Sequence, residues 1–250
     1  MDPFTIGAIV VGGLVAGVVN TLVGGGTSIV LPLLIALGYD PQLANGTNRF
    51  CVAFQAGAAA ATFRRHSKQP ARQQVPPIVA AIAGAIPGAW LATWLDPTLF
   101  REILGWVLLA GVVFFFTSPK KKDAEDAVPA TTLPWTGLVA CFLFGVYGGF
   151  IGAGIGVLIL LYLPRLLGLP LVAMVEIKVW MVLALSAAAG VVYLIEGQVS
   201  WGIVAALLPS YMVGGVLGAK LTIRGGERWV RGAIATVAAG LAVLIIAGVI

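Results

Sequence analysis

The chain has 250 residues, of which 60% are hydrophobic and 10% charged, and its mean hydropathy is +1.02. That balance excludes a soluble globular protein, where roughly half of the residues are apolar and about a quarter charged. The reading is an all-α polytopic membrane protein whose first partner is the lipid bilayer. The formal charge of +5 does not point to nucleic acid, because the basic residues flank apolar segments, where they report orientation. Cys51 and Cys141 lie in apolar surroundings and read as buried small side chains, not as a disulfide or a metal site.

In chain order, apolar segments run over residues 5–23, 27–38, 43–63, 76–95, 103–117, 134–151, 155–167, 172–195, 201–222 and 230–250. A hydrocarbon core of about 30 Å takes about 20 helical residues. Segments 27–38 and 155–167 are too short for that and are expected as half-helices. The first segment lacks a basic flank and runs into Gly24-Gly25-Gly26, so it is read as a retained helix and not a cleaved leader. Charged, proline-punctuated residues 118–133 divide the chain into a first transmembrane repeat, 1–117, and a second, 134–250.

Lys and Arg cluster at 64–72, at Lys120 to Lys122 and from Lys220 to Arg231, which marks these stretches as cytoplasmic. Connections 96–102 and 196–200 are then outside, and so are both termini. Each half holds an odd number of crossings, which predicts two inverted-topology repeats. Residues 5–38 either form a re-entrant hairpin or cross separately, and non-helical backbone at depth favours the hairpin, provided that it lines a cavity.

The halves also repeat in sequence. Gly17 to Gly26 aligns with Gly145 to Gly154 at an offset of 128, and Pro41 aligns with Pro170. Eight residues beyond each proline stands a basic residue, Arg49 or Lys178. At about 1.5 Å per residue both lie about 12 Å inside the helix, near the midplane. Each opposes insertion by about 2.5–3.5 kcal/mol. One reading is that they converge on an anionic substrate, Arg49 by its planar fork and Lys178 as a point charge. The other is structural, with Lys178 paired to Glu176 and Arg49 bonded to backbone carbonyls or reaching toward the headgroups.

Gly24, Gly25 and Gly26 lead into Thr27 and Ser28, and Gly152, Gly154 and Gly156 surround the start of the second short segment. A half-helix that begins inside the membrane presents free N–H groups and a positive dipole end to an anion. Close helix packing is the alternative use of these glycines. Glu176 is a candidate proton carrier, or else an electrostatic neighbour of Lys178. Trp90, Trp94, Trp106, Trp135, Trp201 and Trp229 fall near segment ends and suit interfacial belts, while Trp180 walls a cavity or packs. Enzymatic chemistry is not expected, since the sole histidine, His66, lies among loop residues and leaves Ser28 and Ser186 without a base. No cofactor is implied, and two cations without a histidine cluster do not suit a metal.

With its glycine-rich loop, its Pro-Gln-Leu-Ala-Asn-Gly-Thr-Asn-Arg stretch at 41–49 and its Glu-Ile-Lys at 176–178, the chain resembles the TauE/SafE family of sulfite exporters, also called the toluene sulfonate uptake permeases. The resemblance implies secondary transport of a small sulfur-containing anion, such as sulfite, thiosulfate or an organosulfonate, across the bacterial inner membrane. It carries Asn45, Thr47, Asn48 and Arg49 over as substrate-binding residues of the first motif, and Lys178 of the second. Glu176 departs from the small or polar residue expected beside that lysine. A passive anion channel and a non-transporting scaffold are the competing readings.

Overall fold

The computed structural model describes residues 1–66, 71–104, 106, 134–167 and 171–246, with side chains left undescribed at 71–74, 164–167, 171 and 226–246. Linker 118–133 and most of segment 103–117 lie outside the described residues. The helices are α1 (Pro3–Leu22), α2 (Thr27–Ala36), α3 (Pro41–Arg64), α4 (Ala71–Trp94), α5, described over 97–104, α6 (Trp135–Phe150), α7 (Ile155–Leu167), α8 (Leu171–Ile195) and α9 (Trp201–Ile246). No strand occurs among the described residues.

Local chemistry sets the boundaries. Asp2 caps α1 by accepting the Thr5 N–H at 2.8 Å, and Asp40 caps α3 by accepting from Gln42 and Leu43 at 2.9 and 3.1 Å. Pro3 and Pro41 follow as first helical residues, where the missing N–H leaves no bond unmade. The α1–α2 junction is a full reversal. A methyl group on Gly12 would meet Leu33 and one on Gly26 would meet the Ala16 carbonyl, so α2 doubles back along α1. At 10 residues α2 reaches only about 15 Å, half of the hydrocarbon thickness.

Among the described residues, four stretches are long and apolar enough to cross a membrane: Pro3–Leu22, Val75–Trp94, Val172–Ile195 and Trp201–Gly225. Their outward faces carry Phe4, Val11, Val79, Val191 and Val213, more than half exposed, a surface suited to lipid and not to water. Trp94, Trp106, Trp135 and Trp201 are also exposed by 61–76% near helix ends, as the belts require. α3 has 24 residues but carries the polar run Asn45 to Arg49, and it buries that run among α1, α8 and α9. One expectation fails here. α9 continues unbroken through residues 223–229, where a connection was expected, so 201–222 and 230–246 belong to one helix. Lys220, Arg224 and their neighbours are adequate helix formers with no proline among them, and paired glycine alone does not end a helix.

Packing repeats between the halves. α1 lies along α9, and α6 along α4. Contacts advance together in both pairs, Gly17 on Tyr211 and Thr21 on Gly218, Ala81 on Gly145 and Ala85 on Gly149, so each pair is parallel. A methyl on Gly214 would meet the Leu14 carbonyl and the Val18 amide, and one on Gly84 the Phe142 carbonyl and the Val146 amide. Adding the sequence offset of 128 to 14 and 18 gives 142 and 146, so the same backbone atoms are approached in each half. Gly84→Leu and Gly214→Leu are therefore expected to destabilise the protein by similar amounts, about 1–3 kcal/mol each, read by thermal unfolding in detergent. A neutral result for one of them would show that the two contacts are not equivalent.

Candidate functional site

α1 ends at Leu22 and α6 at Phe150, both inside the bundle, and each leaves carbonyl oxygens without an intrahelical partner. In hydrocarbon each such group would cost several kcal/mol. Glycine makes both breaks: Gly24 has φ +94°, Gly152 +65° and Gly154 +74°, conformations that side chains disfavour. The two breaks touch. A methyl group on Gly24 would lie on the Gly156 backbone and one on Gly156 on the Gly24 Cα, so the backbones meet with no room for a side chain.

The buried cations cross over between the halves. Arg49, 1% exposed on α3, donates from Nη2 to the Ile151 carbonyl at the end of α6, and its guanidinium lies against Gly152. Lys178, fully buried on α8, donates from Nζ to the Asn20 and Thr21 carbonyls at the end of α1, at 2.9 and 2.6 Å. Each cation thus caps the broken helix of the other half of the chain, where the dipole is negative. The Lys178 ammonium is turned to those carbonyls and not to Glu176, which is buried on the same helix. Arg49 thus follows its carbonyl-bonded alternative in this conformation, while Lys178 bonds carbonyls in place of the Glu176 pairing read as its alternative.

Other side chains complete the two ends. Asn45 Nδ2 donates to the Phe150 carbonyl and to the Tyr193 hydroxyl, both at 2.8 Å. The Tyr193 hydroxyl lies 3.2 and 2.9 Å from the Gly149 and Phe150 carbonyls, and Tyr147 donates to the Ala153 carbonyl at 2.5 Å. At the α1 end, Gln55 accepts from Asn20 Nδ2 and donates to the Thr21 hydroxyl, both at 2.7 Å. Asn48 donates to the Thr27 hydroxyl at 3.2 Å and accepts from Tyr211 at 3.2 Å, which ties α3 to the start of α2.

Most of the expected residues gather here. Gly24, Gly25, Gly26, Thr27, Asn45, Asn48, Arg49, Gly152, Gly156 and Lys178 are buried around the paired breaks. Thr47 is directed elsewhere: its hydroxyl donates to Leu43 and accepts the Ser200 N–H at 2.9 Å, pinning the 196–200 connection. Ser28 and Gly154 are partly exposed. Asn20, Thr21, Gln55, Tyr147, Tyr193 and Tyr211 were not expected. Asn20 and Gln55 were legible as polar residues within apolar stretches, whereas the tyrosines carry no signal that separates them from interfacial aromatics.

Two half-helix N-termini, at Thr27 and Ile155, and two cations therefore converge where Gly24 meets Gly156. Asn45 Oδ1 and Arg49 Nε are buried there without a hydrogen-bond partner. Among the described residues no group of three or more His, Cys, Asp or Glu could hold a metal. A buried, cation-rich centre built from broken helices in a lipid-facing bundle is that of a polytopic membrane transporter.

The comparisons agree. The family described as sulfite exporter TauE/SafE matches residues 9–245, and the chain belongs to that family. A "probable membrane transporter protein" of Haemophilus influenzae is 28% identical over 219 residues, covering 88% of this chain and 86% of the relative. "Probable membrane transporter protein ORF9" of a Sinorhizobium species is 25% identical over 237 residues, covering 95% and 90%. "Probable membrane transporter protein YfcA" of Escherichia coli is 25% identical over 240 residues, covering 96% and 88%. These are transporters and not enzymes. No solved structure matches the chain.

Gly152 and Gly154 offer a graded test of the Arg49 cradle. Alanine at either pays about 1–2 kcal/mol for the left-handed conformation, but only at Gly152 would the methyl also strike the Arg49 guanidinium, the space at Gly154 being open. Gly152→Ala is expected to unfold at a distinctly lower temperature than Gly154→Ala. Equal melting temperatures would remove Gly152 as the seat of Arg49.

Proposed function

We propose that the protein exports small sulfur-containing anions such as sulfite, thiosulfate or an organosulfonate across the bacterial inner membrane, as a secondary transporter. The observation that carries this reading is the exchange of cations: Arg49 holds the break of the second half, and Lys178 the break of the first. An anion at this place would compete with the backbone carbonyls for the same donors. The unpartnered Arg49 Nε is one donor already free for it.

Repeats 1–117 and 134–250, joined by a cytoplasmic linker at 118–133, would alternate access around this point with inverted topology. The reciprocal pairing of α1 with α9 and α6 with α4 supports the repeat. So do the directions of the chain: Met1 lies by Gly202, and Gln42 donates to the Ala92 and Leu95 carbonyls, so α1 starts at the end where α4 stops. Since α6 runs parallel to α4, α1 and α6 run oppositely. With the basic stretch 64–72 inside, Asp2 faces outside.

The binding set is Gly24 to Ser28, Asn45, Asn48, Arg49, Gly152, Gly154, Gly156 and Lys178, with Thr47 holding the outer connection against α3. Glu176 would carry the coupled proton.

The test is flux of sulfite, thiosulfate, sulfoacetate and sulfate in proteoliposomes. Arg49→Ala and Lys178→Ala are each expected to lower saturable flux of a sulfur anion about 30-fold or more, the size of a lost buried charge contact. Arg49→Lys and Lys178→Arg retain charge at the same place and control for folding. Glu176→Gln is expected to leave anion binding intact while abolishing the response to an imposed pH gradient. Non-saturable flux without counterflow would identify a channel instead, and undiminished flux in both alanine variants would remove the cations from the substrate path.

A further inference from the structure

Outside the central site, a cavity of about 470 Å³ opens between α3 and α8, lined by Gly57, Ala61, Leu183, Trp180, Arg64 and Arg65. Its composition is graded along the helix axis. Gly57 lies about two turns before Arg64, so the groove is apolar for about 10 Å and ends in two adjacent guanidinium groups. Gly57, Leu183 and Trp180 are partly exposed, and Ala61, Arg64 and Arg65 are exposed, so the groove is open at the side of the bundle. Nothing acidic lies near in sequence: from Pro41 to Leu95 the chain has no Asp or Glu.

A second groove of about 340 Å³ repeats this makeup on α9, with Leu217 and Leu221 beside Lys220 and Arg224. Arg64 is residue 24 of α3, counted from Pro41, and Arg224 is residue 24 of α9, counted from Trp201. Pro41 and Trp201 start at one end of the bundle, since the Ser200 N–H donates to Thr47. Both cation pairs therefore lie about 35 Å along, at one membrane interface.

We propose that these lateral grooves are binding sites for anionic phospholipid, with the Arg64–Arg65 site the principal one. In a membrane, whatever fills an open side groove between helices is acyl chain. The apolar stretch from Gly57 to Ala61 and Leu183 takes the chain, and Trp180 places its half-buried ring beside it. Arg64 and Arg65 then stand at the depth of the headgroup phosphate, which guanidinium forks bind in bidentate fashion. Basic pockets between transmembrane helices recognise anionic headgroups in this way. Neither groove contains Arg49 or Lys178, and the proposal stands independently of which substrate is carried.

Native mass spectrometry of the detergent-purified, delipidated protein tests it, with phosphatidylglycerol or phosphatidylcholine added back. Phosphatidylglycerol is expected to give discrete adducts and raise the melting temperature, and phosphatidylcholine to do neither. The double variant R64Q/R65Q should weaken the tightest adduct by roughly 10-fold to 30-fold, the effect of two interfacial basic residues. Ala61→Trp keeps both arginines but fills the groove, and should lose the same adduct. For both variants, elution as a single species and an unchanged melting temperature without lipid establish folding. K220Q/R224Q should remove a second, weaker adduct. Equal binding of the two lipids, or adducts unchanged in both R64Q/R65Q and Ala61→Trp, would overturn the proposal. Displacement of the adduct by a short-chain alkyl sulfonate at concentrations that saturate transport would overturn it as well, by assigning the groove to substrate.

Discussion

Two helices, α1 and α6, stop inside the bundle, and the carbonyls that they strand there must find donors in a place without water. The rest of the structure follows from how that need is met. Each half supplies one long donor, Arg49 from α3 or Lys178 from α8, and sends it to the carbonyls of the other half. The exchange makes each half of the chain depend on the other. It also accounts for two charges that would otherwise oppose insertion by several kcal/mol together.

Satisfying the breaks dictates the character of α3. Its first turns carry Gln42, Asn45, Thr47, Asn48 and Arg49, all buried, and its middle carries Gln55. A lipid-facing helix could not hold these, so the first turns of α3 lie enclosed while the apolar α1, α4, α8 and α9 provide lipid-compatible spans. The enclosing contacts are backbone to backbone. Gly84 and Gly214 let carbonyls of α6 and α1 approach where any side chain would intervene, and Gly24 against Gly156 does the same between the breaks.

Much of this was legible. Mean hydropathy identified the membrane class, segment length singled out the short helices α2 and α7, and the offset of 128 paired the residues whose backbones are approached alike by Gly214 and Gly84. The matched spacing from Pro41 to Arg49 and from Pro170 to Lys178 singled out the two cations, both of which are buried. What they touch was not legible, because a carbonyl oxygen leaves no mark in a sequence: every residue has one. Glu176, two positions from Lys178, was one candidate partner, yet the ammonium bonds the Asn20 and Thr21 carbonyls instead. Thr47 read as part of the same motif as Asn48 and Arg49, yet its hydroxyl faces the Ser200 backbone. α9 misled in the opposite sense, since charges and a glycine pair resemble a connection but do not stop a helix.

By itself, then, the sequence determined the solvent that the protein lives in, the positions of its breaks and which charges fall within apolar stretches. Those are properties of composition, spacing and backbone freedom, all local. Only the tertiary structure decided that Arg49 and Lys178 exchange halves, that Gly24 rests on Gly156, that Asn20, Thr21 and Gln55 belong with Lys178, and that side grooves end in paired cations. Each of these joins residues distant in the chain, and which distant groups meet is settled by the need to satisfy every buried polar atom at once, a condition that no single segment carries.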